Sequence, residues 1–569
     1  MLGIELVDWA VILTYLVGII FIGIWAARKV KSAATFFMGD RKFGKVMMAF
    51  FMFGSGTHSD QAVSVAAKTY TAGASGIWYQ WLWLFCTPFF WLIAPFFRRM
   101  RAVTTGDYFQ IRYSPGVSVL YAAVGILQLM VNIGVMLKGS GAMVAAVSGG
   151  AIDPNFAILA MTVIFVVYGI AGGLSAAIAT DFVQGILTVV LSFLILPFAL
   201  VKVGGISGIR EMVDNPAMLE IVSPGEITTF YIAVIAFNAF IGWVTQPQTI
   251  ANCAAGKTEM EGRVGVVAGL FTKRVCTIAW MLTGLCGLAL YAGAGEPDQV
   301  YGKMAYDLLP SIAPGLVGLF IASMLAAVMS TCDALMVVCS GLFTENIYKK
   351  FLAKGKTEKH YILIGRIASG LLVASGIAFA LNLESVVQGL EIFWMVSAMM
   401  GIAFWAGLFW RRATAAGAWV GTLSSFAALL FTSKIAFGDY VIWDFNPTLA
   451  DKLPAFMLWE GKLYLPWQMI IYLCIGFVAL VVVSLFTKRV PAENLDQFYE
   501  CIRTPIAKDE PETTPFTLPP GVEPAPRKVL IKHPDFELPR PTLVGIAGFL
   551  VSCGIVWVLI KLVYWILSM

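Results

Sequence analysis

Ionisable side chains stand inside stretches that are otherwise apolar, among them His58, Asp60, Lys68, Lys138, Asp181, Asp333 and Glu391. The densest concentration is FGSGTHSDQAV, Phe53 to Val63. Hydrocarbon offers a polar group no partner, so each such residue must pair, face water or serve a ligand. Gly54 and Gly56 weaken a helix, and Ser55, Thr57, Ser59 and Asp60 compete for its backbone hydrogen bonds. The expected result is a helix broken in mid-membrane, whose freed carbonyl and N–H groups can bind ions and polar solutes. A kinked helix with its polar contacts satisfied internally is the plainer alternative.

Two further stretches carry polar groups of the same kind. FIGWVTQPQTIANC, 240–253, sets Pro247 between two glutamines after Gly242 and Thr245, a second expected break. LAAVMSTCDALMVVCSGLFTENIY, 325–348, places Ser330, Thr331 and Asp333 in an apolar helix. Adjacent hydroxyls there can offer oxygen to a small hard cation such as sodium, or bond back to their own helix carbonyls.

The elements that must hold these residues follow from composition. The chain has 569 residues, 59% hydrophobic and 13% charged, with a mean hydropathy of +0.81. Long apolar stretches joined by short polar ones mark a polytopic helical membrane protein. The net charge of +5 carries no nucleic-acid signal, and no nucleic-acid partner is expected. Nine cysteines stand singly without CxxC or metal spacing, as small core residues do. No nucleophile–base pair or metal motif points to an enzyme. The N-terminal stretch 8–26 is long enough to remain as a span and lacks a small-residue cleavage site.

Stretches of about twenty apolar residues predict about fourteen spans. They fall near 8–26, 44–72, 75–97, 117–148, 156–175, 180–203, 226–250, 265–292, 314–348, 361–383, 386–409, 413–436, 466–486 and 542–566. The joint after the first holds Arg28, Lys29, Lys31, Arg41, Lys42 and Lys45, and those after the third and ninth are also basic. Joints such as 151–155 and 292–298 carry little positive charge. Basic loops are cytoplasmic, so both termini are expected outside a plasma (cell inner) membrane. Two interrupted helices in corresponding places, separated by five spans, point to an inverted-repeat transporter. Residues 487–541, rich in Pro, Glu and Thr, cannot bury a core of their own and are expected to be a cytoplasmic linker before the last span.

Five motifs now stand in order: FRRMRAVTTGDYFQIRY at 97–113, GGLSAAIATDFVQG at 172–185, TQPQTIANCAAGKT at 245–258, AAVMSTCDALMVVCSGLFTENIY at 326–348 and GLFWRRATAAGAWVG at 407–421. Over roughly residues 1–490 the chain resembles the sodium/solute symporter family, which includes sodium-coupled sugar, proline and sialic acid carriers. The resemblance implies an all-α integral membrane fold with a five-plus-five inverted-repeat core and peripheral helices. Its divisions would be 1–43 (first peripheral helix and loop), 44–410 (core; repeats 44–203 and 226–410), 411–486 (peripheral helices), 487–541 (linker) and 542–569 (last helix).

It also implies symport of Na+ with a small polar organic solute by alternating access. The family's sodium position maps onto Gly54, Thr57, Ala327, Ser330 and Thr331. Asp181 maps near the inner sodium path or a second site. Asp333 and Ala334 stand where members with a second sodium carry hydroxyls, so Asp181 and Asp333 are candidates for a second cation or a proton. Solute contacts map onto His58, Asp60, Gln80, Trp83, Lys138 and Thr245, with Gln388 and Glu391 as further candidates. Three roles stay open for Lys138: a solute carboxylate, an ion pair with Asp60 or Glu391, or snorkelling to an interface. Proton coupling through Asp333 or His58 and a transporter-like solute receptor are the alternatives to sodium symport.

Overall fold

The computed structural model of the chain describes residues 4–27, 41–223, 225–293, 295–437, 440–507, 510–511 and 513–569. Arg28, Lys29 and Lys31 of the first basic joint lie outside these residues, as do the side chains of 167–179, which include the start of the motif at 172–185. Among the described residues, eight helices are long and apolar enough to cross a membrane, and five shorter apolar helices accompany them. Expected span 75–97 is fragmented, into a 3₁₀ turn (Gly73–Ile77), a short helix (Trp78–Trp81) and Thr87–Arg99. Expected spans 156–175 and 180–203 carry helix without a break from Pro154 to Leu194. Two small antiparallel pairs add the only described strands outside isolated bridges: Lys434–Phe437 with Tyr440–Asp444, and Leu458–Trp459 with Lys462–Leu463.

Helix starts follow local chemistry. Ser114, Thr228, Thr357, Ser385, Thr414 and Thr542 each accept an N–H three residues ahead, satisfying a donor with no partner inside its helix. Thr258 and Glu261 form a capping box at the start of the long helix Glu259–Tyr291.

Both expected breaks are present. The first helix stops at Gly56 and resumes at Ser59, with Thr57 and His58 extended (φ −133° for each). The second, Thr229–Trp243, gives way to turns over 244–248 around Pro247 and resumes as Thr249–Ala254. A break strands carbonyls that water cannot reach, and side chains satisfy them here. The Gly54 carbonyl accepts from the Thr331 hydroxyl at 2.9 Å. The Gly56 carbonyl accepts from Lys273 Nζ at 2.6 Å and Gln61 Nε2 at 3.3 Å. At the second break, Thr249 Oγ1 donates to the Trp243 carbonyl at 2.9 Å. Ser55 Oγ donates to Asn252 Oδ1 at 3.0 Å, tying the two broken helices to each other.

The helix Leu316–Phe343 is buried along nearly its whole length and packs on both the first broken helix and Pro154–Leu194. Glu259–Tyr291 packs along both halves of the first broken helix. Ala415–Phe431, Leu465–Phe486 and Leu543–Ser568 are more exposed and lie at the periphery.

The close approach of Glu259–Tyr291 depends on small residues. A Cβ on Gly269 would lie 2.8 Å from the Ala49 carbonyl and 2.8 Å from Met52 Cβ. Gly269→Leu is therefore expected to cost about 1–3 kcal/mol through overpacking, read as a lowered unfolding temperature of the detergent-solubilised protein. Gly293→Ala, with nothing within 4 Å of the added carbon but a positive φ, reports backbone strain without crowding.

Candidate functional site

The break at Thr57–His58 faces the middle of Leu316–Phe343, and between them lies a group of oxygens. Thr331 Oγ1 stands 2.9 Å from the Gly54 carbonyl and 3.3 Å from the Ala327 carbonyl, so one hydroxyl links two helices while bonding back to its own. One residue earlier, Ser330 Oγ donates to Asp181 Oδ1 at 2.5 Å. Gly54 makes this approach possible, because a Cβ there would lie 2.6 Å from Ser330 Oγ and 3.3 Å from Asp181 Cγ. Thr57 Oγ1 and Asp181 Oδ2 are buried without a hydrogen-bond partner among the described residues. The structure thus gathers Gly54, Thr57, Ala327, Ser330, Thr331 and Asp181. The ligand atoms on offer are carbonyl, hydroxyl and carboxylate oxygens, a set suited to a hard monovalent cation and lacking the imidazole or thiolate that transition metals favour.

Asp333 lies one turn beyond Ser330 and is buried. It and Asp181 are both close enough to Tyr15 to act on it electrostatically. The Tyr15 hydroxyl accepts from Gln184 Nε2 at 3.2 Å and donates to Met329 Sδ at 3.8 Å. The two carboxylates therefore neighbour one region, reached through different helix faces.

Past the break a second polar group forms. His58 Nδ1 is hydrogen-bonded to Asp60 Oδ1, and His58 Nε2 lies 3.0 Å from Gln61 Nε2. The Gln61 amide nitrogen also contacts the Gly56 carbonyl. An amide nitrogen only donates, so His58 Nε2 accepts and Nδ1 carries the proton that points at Asp60, a tautomer assigned from this network. Asp60 Oδ2, Gln61 Oε1, both amide atoms of Gln80 and Trp83 Nε1 are left buried without hydrogen-bond partners among the described residues. Helix Pro115–Val147 closes on Asp60 from the other side, where a Cβ on Gly139 would lie 2.6 Å from Asp60 Cβ.

Two residues of this region were not among the sequence candidates. Lys273 sits 5.5 Å from the centre of the Trp83 ring while donating to the Gly56 carbonyl, and Asp60 acts on it electrostatically. Arg274 Nη1 donates to the Gln80 carbonyl at 2.5 Å and the Arg274 carbonyl accepts from Trp81 Nε1 at 3.1 Å. The signal was available: two adjacent cations well inside the apolar span 265–292 meet the same test that singled out Lys68 and Lys138.

The other expected solute contacts lie apart from this group. Thr245 Oγ1 is occupied by the Gly242 and Ser397 carbonyls at 3.0 and 2.9 Å, within the scaffold of the second break. Gln388 Oε1 accepts from the Glu384 N–H at 3.1 Å, at a helix start. Glu391 accepts from the Tyr79 hydroxyl at 2.6 Å. Tyr79 in turn lies beneath Lys68, whose ammonium pairs with Glu226 at 2.7 Å. Lys138 is half-buried and neighbours Asp298 rather than Asp60 or Glu391. Burial raises the Asp298 carboxyl above its ordinary range, while the Val386 N–H and the Lys138 ammonium oppose the rise.

The comparisons with known proteins agree with this architecture. The sodium:solute symporter family matches residues 36–424, more than half of the chain. The chain belongs to that family, and so is an integral, multi-pass membrane transporter of the sodium-coupled symport class. It is 24% identical over 552 residues to the pig (Sus scrofa) sodium/glucose cotransporter 1, covering 86% of this chain and 80% of that one. It is 24% identical over 499 residues to the osmoregulated proline transporter OpuE of Bacillus subtilis, covering 84% and 94%. Among solved structures, a substrate-bound, outward-open Na+-coupled sialic acid symporter superposes with a TM-score of 0.71 at 19% identity, over 86% of this chain and 99% of that one. That likeness shows the fold.

Replacing Ser330 and Thr331 together by Ala removes the two hydroxyls that Leu316–Phe343 brings to the oxygen group and leaves the helix intact. The double variant is expected to lose sodium-dependent solute uptake into proteoliposomes, at least tenfold at the sodium concentration that half-saturates the parent. Unchanged sodium dependence would refute the assignment.

Proposed function

We propose that the protein imports a small polar organic solute by alternating access, driven by sodium bound at the Gly54 and Ala327 carbonyls, the Ser330 and Thr331 hydroxyls, and Thr57. The observation that carries this reading is the contact of Thr331 with the Gly54 carbonyl beside the Ser330–Asp181 pair. A cation placed there takes over the Gly54 carbonyl from the Thr331 hydroxyl and Asp181 from the Ser330 hydroxyl, and both hydroxyls, still protonated, turn their oxygens to it. It also joins the unwound segment to Leu316–Phe343 and so favours the outward-open state. The inward sodium gradient then supplies the work, with about 2.3 kcal/mol per charge for each 100 mV of membrane potential. Asp181, with one oxygen on Ser330 and the other without a hydrogen-bond partner among the described residues, balances the cation's charge.

The solute occupies the neighbouring group. Asp60 Oδ2 and Gln61 Oε1 are acceptors needing donors, and Trp83 Nε1, Gln80 and Lys273 are donors at the other edge. A buried carboxylate and a buried ammonium without full pairing are costly. A solute that presents donors to Asp60 and acceptors to Lys273 relieves both. His58, hydrogen-bonded to both Gln61 and Asp60, orients the carboxylate. In this reading the core spans two inverted repeats, 44–203 and 226–410, the spans number fourteen, and both termini lie outside the plasma membrane.

Asp60→Asn keeps the shape of the site and removes the charge. It is expected to raise the half-saturating solute concentration at least tenfold and to leave sodium-induced thermal stabilisation of the solute-free protein in place. Uptake measured with choline in place of sodium across a pH series checks the coupling ion. The expected result is loss of uptake at every pH, whereas uptake that survives in choline and rises with acidity would establish proton coupling instead.

A further inference from the structure

Residues 487–541 differ from the linker expected of them. The helix Ala492–Arg503 buries Leu495, Phe498, Tyr499, Cys501 and Ile502, and Phe516 beyond it is wholly buried. None of this forms a separate core. Phe498 stacks on Phe516 at 5.1 Å and meets Tyr108 edge-on at 5.4 Å, so the segment's apolar side chains are covered by the transporter.

Its polar contacts fall on two groups of core elements. On the first, Arg101 grips Glu510 through two hydrogen bonds of 2.6 and 3.0 Å, and these side chains are only 3% and 4% exposed. The Phe516 N–H donates to the Met100 carbonyl at 2.9 Å, just past the helix Thr87–Arg99. The Ile506 N–H donates at 3.1 Å to Glu259, already paired with Arg99 at 2.7 Å at the start of Glu259–Tyr291. On the second, the Tyr499 hydroxyl donates to the Gly407 carbonyl at 2.8 Å. Arg411 pairs with Glu537 at 2.8 Å, and the Glu537 N–H bonds the Phe409 carbonyl, at the end of Gly401–Phe409. The elements gripped at one face thus include Arg99–Arg101 of 44–203, Glu259 and Gly407–Phe409 of 226–410, and Arg411 just beyond.

Alternating access requires elements of the core to rock against one another about a central site. A strap bonded across that face opposes their parting. We propose that the described residues of 492–540 form a clasp on this inner face, holding Arg99–Arg101 and Glu259 to Gly407–Arg411 while the inside is closed. The clasp releases one of these two grips each time the inside opens. The proposal rests on the sodium-symport reading above. Removing a grip shifts the balance toward the inside-open state, and sodium must then work harder to restore the closed one.

Limited trypsin digestion of the full purified protein tests this, with cleavage at Arg503 and Arg527 as the readout. Sodium is titrated against potassium at constant ionic strength, and sodium-dependent thermal stability is followed on the same samples. Cleavage is expected to be slow in sodium and fast in potassium. In Glu510→Gln the sodium needed for half-maximal protection is expected to rise about fivefold or more, and the exchanged pair Arg101→Glu with Glu510→Arg is expected to bring it back toward the parent value. Tyr499→Phe, which removes one hydroxyl and no packing, serves if Glu510→Gln fails to fold. Equal cleavage in the two salts alongside a normal sodium thermal shift would overturn the clasp and leave the symport reading standing. Loss of both responses would overturn the two together, and so would protection in Glu510→Gln and Tyr499→Phe at parental sodium overturn the clasp.

Discussion

The structure turns on an unsatisfied backbone. A helix interrupted inside a membrane exposes carbonyls that lipid cannot solvate, and leaving them unpaired costs several kcal/mol each. In this chain the stranded carbonyls of Gly54 and Gly56 point in two directions and receive two kinds of partner. Gly54 meets a neutral hydroxyl from Leu316–Phe343, an exchangeable partner that a cation can replace. Gly56 meets the ammonium of Lys273, a strong and fixed partner that anchors the end of the half-helix, where the dipole is negative. One break therefore carries a weakly held oxygen on one side and a pinned one on the other.

That division explains the order of residues along FGSGTHSDQAV. Gly54 is small so that Ser330 and Asp181 can approach, and Thr57 brings a hydroxyl without a hydrogen-bond partner among the described residues. His58 and Asp60 then begin the second half-helix, and their bond fixes a carboxylate whose other oxygen stays open. Coupling between ion and solute needs no long pathway, because the two groups are separated by two extended residues of one strand of backbone. Whatever orders Thr57 also positions His58.

Much of this was legible in the sequence, for a physical reason. Gly, Ser, Thr and Pro inside apolar runs are local signals, and both breaks and the hydroxyl pair lie where those residues place them. The class of fold followed from hydropathy, since span length is set by the bilayer. The solute side was less legible because it depends on which helix faces meet. The sequence leaves Lys138 to a solute carboxylate, to an ion pair with Asp60 or Glu391, or to an interface; in the fold it neighbours Asp298, and Glu391 is held by Tyr79. Thr245 looked like a ligand and is spent on the Gly242 and Ser397 carbonyls. Lys273 was overlooked although the rule that found Lys68 applies to it equally. The packing of 487–541 on the transporter was not legible because composition reports whether a segment can build its own core, and this one borrows another.

The central claim is that sodium joins the first break to Leu316–Phe343. Amide hydrogen exchange followed at residues 54–60 and 327–334, in sodium and in choline at equal ionic strength and without solute, tests it most directly. The account predicts that sodium slows exchange in both segments together, with the same concentration dependence. Exchange that is indifferent to sodium in either segment would contradict it.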